Sequence, residues 1–448
     1  MGRLFGTDGV RGLANETLTC ELAYKIGQAT VSVLKMAKHK PRILVGRDTR
    51  LSGDMLEAAL VAGICSVGGE ARIAGVIPTP AVAYLARHYK TDAGVVISAS
   101  HNSMEYNGIK IFNNQGYKLP DELEERIESI VLDNSEEIVY PTGVDIGRVV
   151  RVKNAVRHYE EFLKSTIDVR LDGLKLVVDC ANGAASKIAP GILSQLGAEV
   201  YPIYDEPDGI NINSLCGSTY PENLQEYVVE MGADVGLAFD GDADRLIAVD
   251  ERGKIVDGDQ MLVICGLDMQ KRGILKKNTV VGTVMSNLGF DKALEKAGCN
   301  VVKTKVGDRY VLEKMLEEGY NIGGEQSGHI IFLDHNTTGD GILTALQLLS
   351  VVKRENKKLS ELSKVMEKFP QVLVNAKVSE EGKLTYNQDP VIQEEIKRME
   401  DRFAGEGRVL VRASGTEPLI RVMIEGKDQR EIEEYAVGLA KLIEERLN

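Results

Sequence analysis

The stretch that decides the fold is Ala93-Gly94-Val95-Val96-Ile97-Ser98-Ala99-Ser100-His101-Asn102. A short apolar run, Ala93–Ile97, stops abruptly in a small polar loop. Two later stretches are built the same way. Val235–Phe239 ends in Asp240-Gly241-Asp242-Ala243-Asp244-Arg245, and Tyr320–Ile322 ends in Gly323-Gly324-Glu325-Gln326-Ser327-Gly328-His329. A candidate nucleophile, a candidate metal loop and a polar recognition loop thus each follow a strand-like run. One active site assembled from three similar modules is the simplest reading.

The repeat extends upstream. Arg42–Val45 leads into Gly46-Arg47-Asp48, Lys175–Val178 into Asp179-Cys180-Ala181-Asn182-Gly183, and Thr279–Val284 into Ser286-Asn287-Leu288-Gly289. Helix-like stretches follow over Met55–Val67, Ala185–Leu196 and Gly289–Ala297. Each stops at glycine (Gly68-Gly69, Gly197, Gly298), which suits the left-handed turn that closes a helix. A second apolar run follows each glycine: Ala71–Ile77, Val200–Ile203 and Val301–Val302. The order strand, helix, strand, helix, strand predicts α/β modules with mixed, largely parallel sheets. Ligands of such sheets gather at the carboxyl ends of the strands.

Length supports several domains. At 448 residues the chain exceeds one compact core, and about three domains is the prior. Three modules reach Phe369 and leave roughly 80 residues, enough for a small α+β domain. There Gln371–Val378, Arg408–Val411 and Leu419–Glu425 read as strands, and Val391–Phe403 and Gln429–Leu447 as helices. The last carries Ile432, Tyr435, Ala436, Leu439 and Ile443 at helical spacing. The expected divisions are 1–150, 151–253, 254–369 and 370–448, with Pro141–Val149 as a linker.

With 54 basic and 67 acidic residues the net charge is −13, which argues against a nucleic-acid binder. Local Arg and Lys groups can still reverse the field inside a cleft. Six cysteines, at 20, 65, 180, 216, 265 and 299, form no CxxC pair, so neither disulfides nor zinc are expected. No run approaches roughly 18 apolar residues, so no signal peptide or membrane span is expected, and a cytoplasmic enzyme fits best.

Asp240, Asp242 and Asp244 carry the strongest chemical signal. Three carboxylates in one loop repel unless a divalent cation joins them, and oxygen ligands favour Mg²⁺ or Ca²⁺. An EF-hand would need Gly at its sixth position, which is Arg245 here. A haloacid-dehalogenase-type phosphatase would make Asp240 a nucleophile. A solvated acidic turn is the plain alternative. Ser100 has His101 beside it but no Gly-x-Ser-x-Gly elbow. A phosphoserine makes better use of the metal loop, because phosphoryl oxygens can bridge Mg²⁺. Lys110 offers a nearby cation. Glu325 and Ser327 can bond vicinal sugar hydroxyls, and His329 a phosphate or a proton in transfer. Arg412, Ser414, Gly415 and Thr416 lie between two strands and make a phosphate cradle. Arg11 is a further candidate cation. Singly, each of these residues has an ordinary structural role as cap, turn or surface charge.

Together the Ser98–Asn102, Asp240–Arg245, Gly324–His329 and Arg412–Thr416 segments resemble, in that order, the loops of the α-D-phosphohexomutase superfamily. Further support comes from Leu4–Gly12, Asn211-Ile212-Asn213 with Cys216-Gly217-Ser218-Thr219, and Val306-Gly307-Asp308-Arg309-Tyr310-Val311. Gln326 fits the branch acting on glucosamine phosphates. Ser103 and Tyr220 depart from the pattern, which has Pro and His there, and Ser103 is expected to loosen the serine loop.

The resemblance implies three related α/β domains and a smaller α+β domain around a central cleft. It implies interconversion of glucosamine 6-phosphate and glucosamine 1-phosphate, through phospho-Ser100 and glucosamine 1,6-bisphosphate, toward UDP-N-acetylglucosamine. Glucose or mannose phosphates, or a Mg²⁺-dependent sugar phosphatase, are the alternatives. Mg²⁺ on Ser100, Asp240, Asp242 and Asp244 is implied. Lys110, Arg11, Arg245, His101 and His329 are implied for charge balance and proton transfer. The partner expected is a small sugar phosphate, with no nucleic acid and no membrane; a homodimer is left open.

Overall fold

The structure, a computed structural model, describes residues 3–6, 8–35, 39–414 and 418–448. It divides into two compact units. One comprises Met1–Met285 and Cys299–Val365, the other Ser286–Gly298 and Met366–Asn448.

The first unit holds three sheets built on one plan. In the first, Glu70–Val76, Arg42–Arg47, Ala93–Ile97 and Tyr106–Asn113 lie side by side in that order. In the second the order is Glu199–Ile203, Lys175–Asp179, Val235–Phe239, Leu246–Asp250. In the third it is Asn300–Thr304, Thr279–Thr283, Ile322–Gly324, Ile330–Phe332. In every case the first three strands are parallel and the fourth is antiparallel. The threefold repeat of the sequence is therefore a repeat of topology. Each antiparallel hairpin is the chain's path into and out of one polar loop. Three such loops follow the carboxyl ends of the third strands.

The strands are runs rather than alternations because both faces are covered. All residues of Ala93–Ile97, Val235–Phe239 and Leu246–Asp250 are buried. Helices close on glycine where expected: Gly68, Gly197 and Gly298 have φ of +90°, +103° and +74°.

Three expectations shift. The second module's helix spans Ala189–Gln195, not Ala185–Leu196, because Pro190 lacks an N–H and sits in the first turn. The third-module strand is Ile322–Gly324, two residues later than Tyr320–Ile322. The Pro141–Val149 stretch is more than a linker: it runs into a strand, Val149–Arg151, that pairs in parallel with Glu70–Val76.

The second unit is a three-stranded antiparallel sheet ordered Gln371–Lys377, Leu419–Glu425, Arg408–Ala413. Helix Gln429–Leu447 packs on it with Ile432, Ala436, Leu439 and Ile443 buried. Helix Leu288–Lys296 belongs to this unit. Its N-cap Asn287 accepts from Gly289 N at 3.0 Å and donates to Glu425 Oε1 at 3.1 Å; the fully buried Glu425 also accepts from Arg408.

Candidate active site

Ser100 follows the buried strand Ala93–Ile97 and is 1% exposed. Its φ is +52°, the left-handed region that a side chain adopts only when its surroundings enforce it. The second module presses against it: a Cβ on Gly241 would fall 2.6 Å from the Ser100 carbonyl oxygen, so that position admits only glycine without movement. The contact brings the Ser100 hydroxyl to 2.6 Å from Asp240 Oδ2, to which it donates. His101 Nδ1 lies 3.3 Å from the same hydroxyl.

The three aspartates are all buried, and one oxygen from each lies within 4.8 Å of the others. Asp240 Oδ1 accepts from Arg245 N at 3.1 Å. Asp242 Oδ2 accepts from Thr79 Oγ1 at 2.7 Å and from Lys110 Nζ at 2.9 Å. Asp242 Oδ1 and Asp244 Oδ1 are buried with no hydrogen-bond partner. A cluster of oxygen donors with two orphaned acceptors is a poor end state for a fold and a good one for a hard cation. The donor set fits Mg²⁺: it contains no sulfur or nitrogen that would favour a softer metal.

Charges in the site are strongly perturbed. Burial, then the fields of Asp244 and Asp242, push the Asp240 carboxyl well above its ordinary range. Burial also opposes charge on Lys110, but Asp242, Asp8 and Asp244 overcome it and hold the ammonium protonated. His101 is drawn down to about 4, by burial first and then by Arg245 and Arg11, so its ring is neutral at pH 7. For His329 burial opposes the cation, while contact with Asp244 and the fields of Asp244 and Asp308 raise the pKa. Gly339 N, however, lies 3.0 Å from His329 Nε2, a bond only an unprotonated nitrogen accepts. In the neutral ring that bond leaves the proton on Nδ1, which lies 3.8 Å from Asp244 Oδ2.

Six side chains close a ring in which basic groups and carboxylates alternate. Lys110 is 3.4 Å from Asp244 and 3.1 Å from Asp8. Lys118 is 2.9 Å from Asp8 and 2.7 Å from Asp308. His329 is 3.6 Å from Asp308 and 3.8 Å from Asp244. Arg11 joins from outside, 2.6 Å from Asp8 and 3.2 Å from Asn102 Oδ1.

The structure thus gathers Ser100, His101, Lys110, Arg11, Asp240, Asp242, Asp244, Arg245 and His329. Glu325 sits in the third loop, where its carboxylate accepts from Gly307 N at 3.0 Å, and Ser327 is exposed there. That loop is tied to the metal loop by Leu246 N donating to Gly328 O at 3.1 Å. Residue reasoning missed Asp8, Thr79, Lys118 and Asp308. Asp8 and Asp308 stand inside segments already singled out; nothing in the sequence marks Lys118 or Thr79.

Arg412 and Ser414 lie in the second unit. Arg412 is directly opposite Arg421 on adjacent antiparallel strands. Like charges at that spacing destabilise a sheet. Burial, then Arg421, lower the Arg412 pKa. Arg412 Nε and Ser414 Oγ are buried with no hydrogen-bond partner. Two cations face to face beside an unpaired hydroxyl suit an anion. Gly415 and Thr416 lie outside the described residues.

Comparison with known proteins agrees with this arrangement. Four family models match in succession, described as phosphoglucomutase/phosphomannomutase alpha/beta/alpha domain I over residues 2–138, domain II over 156–253, domain III over 257–369, and the C-terminal domain over 373–442. A phosphoglucosamine mutase of Acetivibrio thermocellus is 63% identical over 448 residues, the full length of both chains. The crystal structure of a phosphoglucomutase/phosphomannomutase family protein from Burkholderia thailandensis superposes with a TM-score of 0.83 at 25% identity, covering 100% of this chain and 99% of that one. An Aspergillus fumigatus N-acetylphosphoglucosamine mutase, solved with GlcNAc-6P and magnesium, superposes at 0.71 and 17% identity, covering 100% of this chain and 96% of its own. Three sheets of one topology, a serine against three aspartates and a family match along nearly every residue lead to one conclusion: the chain belongs to the phosphoglucomutase/phosphomannomutase family.

Proposed function

We propose that this chain interconverts glucosamine 6-phosphate and glucosamine 1-phosphate, with Ser100 as the phosphoryl carrier and glucosamine 1,6-bisphosphate as the intermediate. The observation that carries the chemistry is the Ser100 hydroxyl 2.6 Å from Asp240, at the edge of three clustered carboxylates and beside Lys110. The choice of amino sugar is supported by the name of a relative 63% identical along the whole chain.

In the forward half-reaction the sugar O1 hydroxyl attacks phosphorus on Ser100. The new P–O1 bond forms, the P–Oγ bond breaks, and the hydroxyl proton must move to Ser100 Oγ. His101, neutral at pH 7 and 3.3 Å from Oγ, is placed to relay it. Lys110, held as a cation by three carboxylates, serves charge balance rather than proton acceptance. The bisphosphate then turns over, Ser100 takes the phosphoryl group from O6, and glucosamine 1-phosphate is released. Asp240, Asp242 and Asp244, with phospho-Ser100, would hold Mg²⁺, which would supply neutralisation of the charge on the transferring group. Glu325 and Ser327 bind sugar hydroxyls, Arg245 and His329 face the anionic groups, and Arg412 and Ser414, with Gly415 and Thr416, bind the phosphate that stays. The division 1–150, 151–253, 254–369 and 370–448 then assigns one loop to each domain.

Turnover on glucosamine, glucose and mannose 6-phosphates, with inorganic phosphate measured in parallel, tests the proposal. Preference for the amino sugar without phosphate release is expected. Stoichiometric phosphate release would make the protein a phosphatase instead.

A further inference from the structure

Arg50 is the largest fully buried side chain described, and it carries a full charge. Its guanidinium and the Asp48 carboxylate are both 0% exposed and 2.9 Å apart. A buried ion pair is a poor source of stability, since apolar residues of the same volume often serve as well or better. The use of this one lies in where its remaining donors go.

All of them go to the serine loop. One terminal nitrogen donates to the carbonyls of Ser100 at 3.0 Å and Asn102 at 2.8 Å. The other donates to the carbonyls of Tyr106, at 3.1 Å, and Ser103. Four carbonyls of one seven-residue turn therefore point inward at one planar cation. The other face of the Ser100 peptide is fixed by the same pair: Ser100 N donates to Ser98 Oγ at 2.9 Å, and Ser98 Oγ donates to Asp48 Oδ2 at 2.6 Å. From the second module, Asn213 Nδ2 reaches the Ser100 and Asn102 carbonyls, each at 2.9 Å. With its N–H and C=O both tied, Ser100 is held at φ +52°. The Ser103 carbonyl is one of the four that Arg50 holds.

We infer that Arg50, seated on Asp48 and seconded by Asn213, is a positioning residue for phosphoryl transfer: it holds the left-handed Ser100 backbone that aims the hydroxyl at Asp240. None of the hydrogen bonds of Arg50 goes to Asp240, Asp242 or Asp244. It acts only on the geometry of the carrier. Lysine cannot substitute, because one ammonium cannot span four carbonyls that a planar fork reaches.

The inference rests on Ser100 being the carrier, so the wild-type control comes first. Dephosphorylated wild-type enzyme is mixed with glucose 1,6-bisphosphate, and the phosphorylated peptide is located and timed by mass spectrometry. No phosphate on Ser100 would remove the carrier reading itself. If wild type is phosphorylated there, Arg50→Lys is expected to be phosphorylated at least about 100-fold more slowly, the scale of a misplaced reacting group. Its KM for the sugar phosphate should stay within about threefold, and kcat should fall with the transfer rate. The rise in melting temperature on adding Mg²⁺ should persist, because the aspartates are untouched. Free guanidinium should restore part of the rate to Arg50→Ala. If both Arg50 variants fail to fold, Asn213→Ala and Ser98→Ala decide the matter. Each removes two hydrogen bonds of this cradle without orphaning a buried charge, and each should lower kcat by about tenfold at unchanged KM. Wild-type transfer rates in Arg50→Lys, or in both of the milder variants, would overturn the inference.

Discussion

Asp240→Asn should stabilise the protein while abolishing its metal response. Asp240 is 1% exposed, and one of its oxygens lies within 4.8 Å of one oxygen from each of Asp242 and Asp244. Burial first, then the two neighbouring charges, raise its pKa well above the ordinary 3.8. With metal chelated, the folded protein holds a proton on this group more tightly than the unfolded chain does. Each unit by which the folded pKa exceeds the unfolded one costs about 1.4 kcal/mol at a pH above both. Arg245 favours the charged form and offsets part of that cost. The sign follows from the proton count. A raised acid binds more protons folded than unfolded, so stability falls as pH rises from about 4 toward 7. Asparagine is neutral throughout. It keeps an oxygen for Arg245 N and an amide for the Ser100 hydroxyl, which can turn to accept. Chelated wild type should therefore match the variant only below about pH 3.8 and fall below it as pH rises toward 7. Urea titrations by circular dichroism should show this. Hydrogen exchange over residues 235–250 would localise the effect, since a chain of two units need not unfold in one step. Saturating Mg²⁺, at about 100 times its dissociation constant, should restore about 2.7 kcal/mol to wild type and nothing to the variant. A pH-independent gap, or a variant less stable at pH 7, would refute the view that these carboxylates are in conflict without a cation.

Ser100→Ala should fold normally, carry no phosphate by peptide mass spectrometry, and lose nearly all mutase turnover; full activity would end the covalent mechanism. Arg412→Ala should raise KM for the sugar phosphate by roughly 10- to 150-fold, the value of a charge-assisted phosphate contact at 1.5–3 kcal/mol. The same change relieves repulsion with Arg421, so denaturation of the C-terminal unit should shift upward or not at all, whereas a purely structural arginine would destabilise it. Asp179, raised to about 7 by burial against the opposing bonds from Gly217 N and Ala181 N, should make stability fall as pH rises from about 4 to 7. Asp179→Asn loses one backbone acceptor, about 1 kcal/mol at pH 5, but should overtake wild type by pH 8 in urea midpoints. Lys118→Met leaves Asp8 and Asp308 facing each other and should cost about 3 kcal/mol, the lower end for breaking a buried pair. Adding Asp308→Asn should recover part of that loss, and additivity of the two changes would show that the ring is not coupled.

What sequence could and could not disclose follows from how each part of the site is made. Ala93–Ile97 and Val235–Phe239 were legible because a strand covered on both faces must be apolar throughout, and it must stop where the chain turns polar. Their loops could be found by counting forward a few residues, and Asp240, Asp242 and Asp244 stand within five residues of one another. Other features depend on distance along the chain. The ring through Asp8, Lys110, Lys118, Asp244, Asp308 and His329 draws its members from every part of the first unit. In Gly116-Tyr117-Lys118-Leu119, Lys118 looks like any surface lysine; only the antiparallel fourth strand, Tyr106–Asn113, brings the following turn back beside Asp8 and Asp308. Arg50 is the sharper case. In Asp48-Thr49-Arg50 it reads as a solvated turn residue, and burial of a charge at that spacing has no sequence signal. Its partners, Ser100 to Tyr106, lie half a hundred residues away and are backbone carbonyls, which every residue possesses. The groups proposed to do the chemistry were therefore visible by type, and the groups proposed to aim them were not. A nucleophile or a ligand must be a particular side chain. A carbonyl to be held in place can belong to any residue, and only the fold says which one.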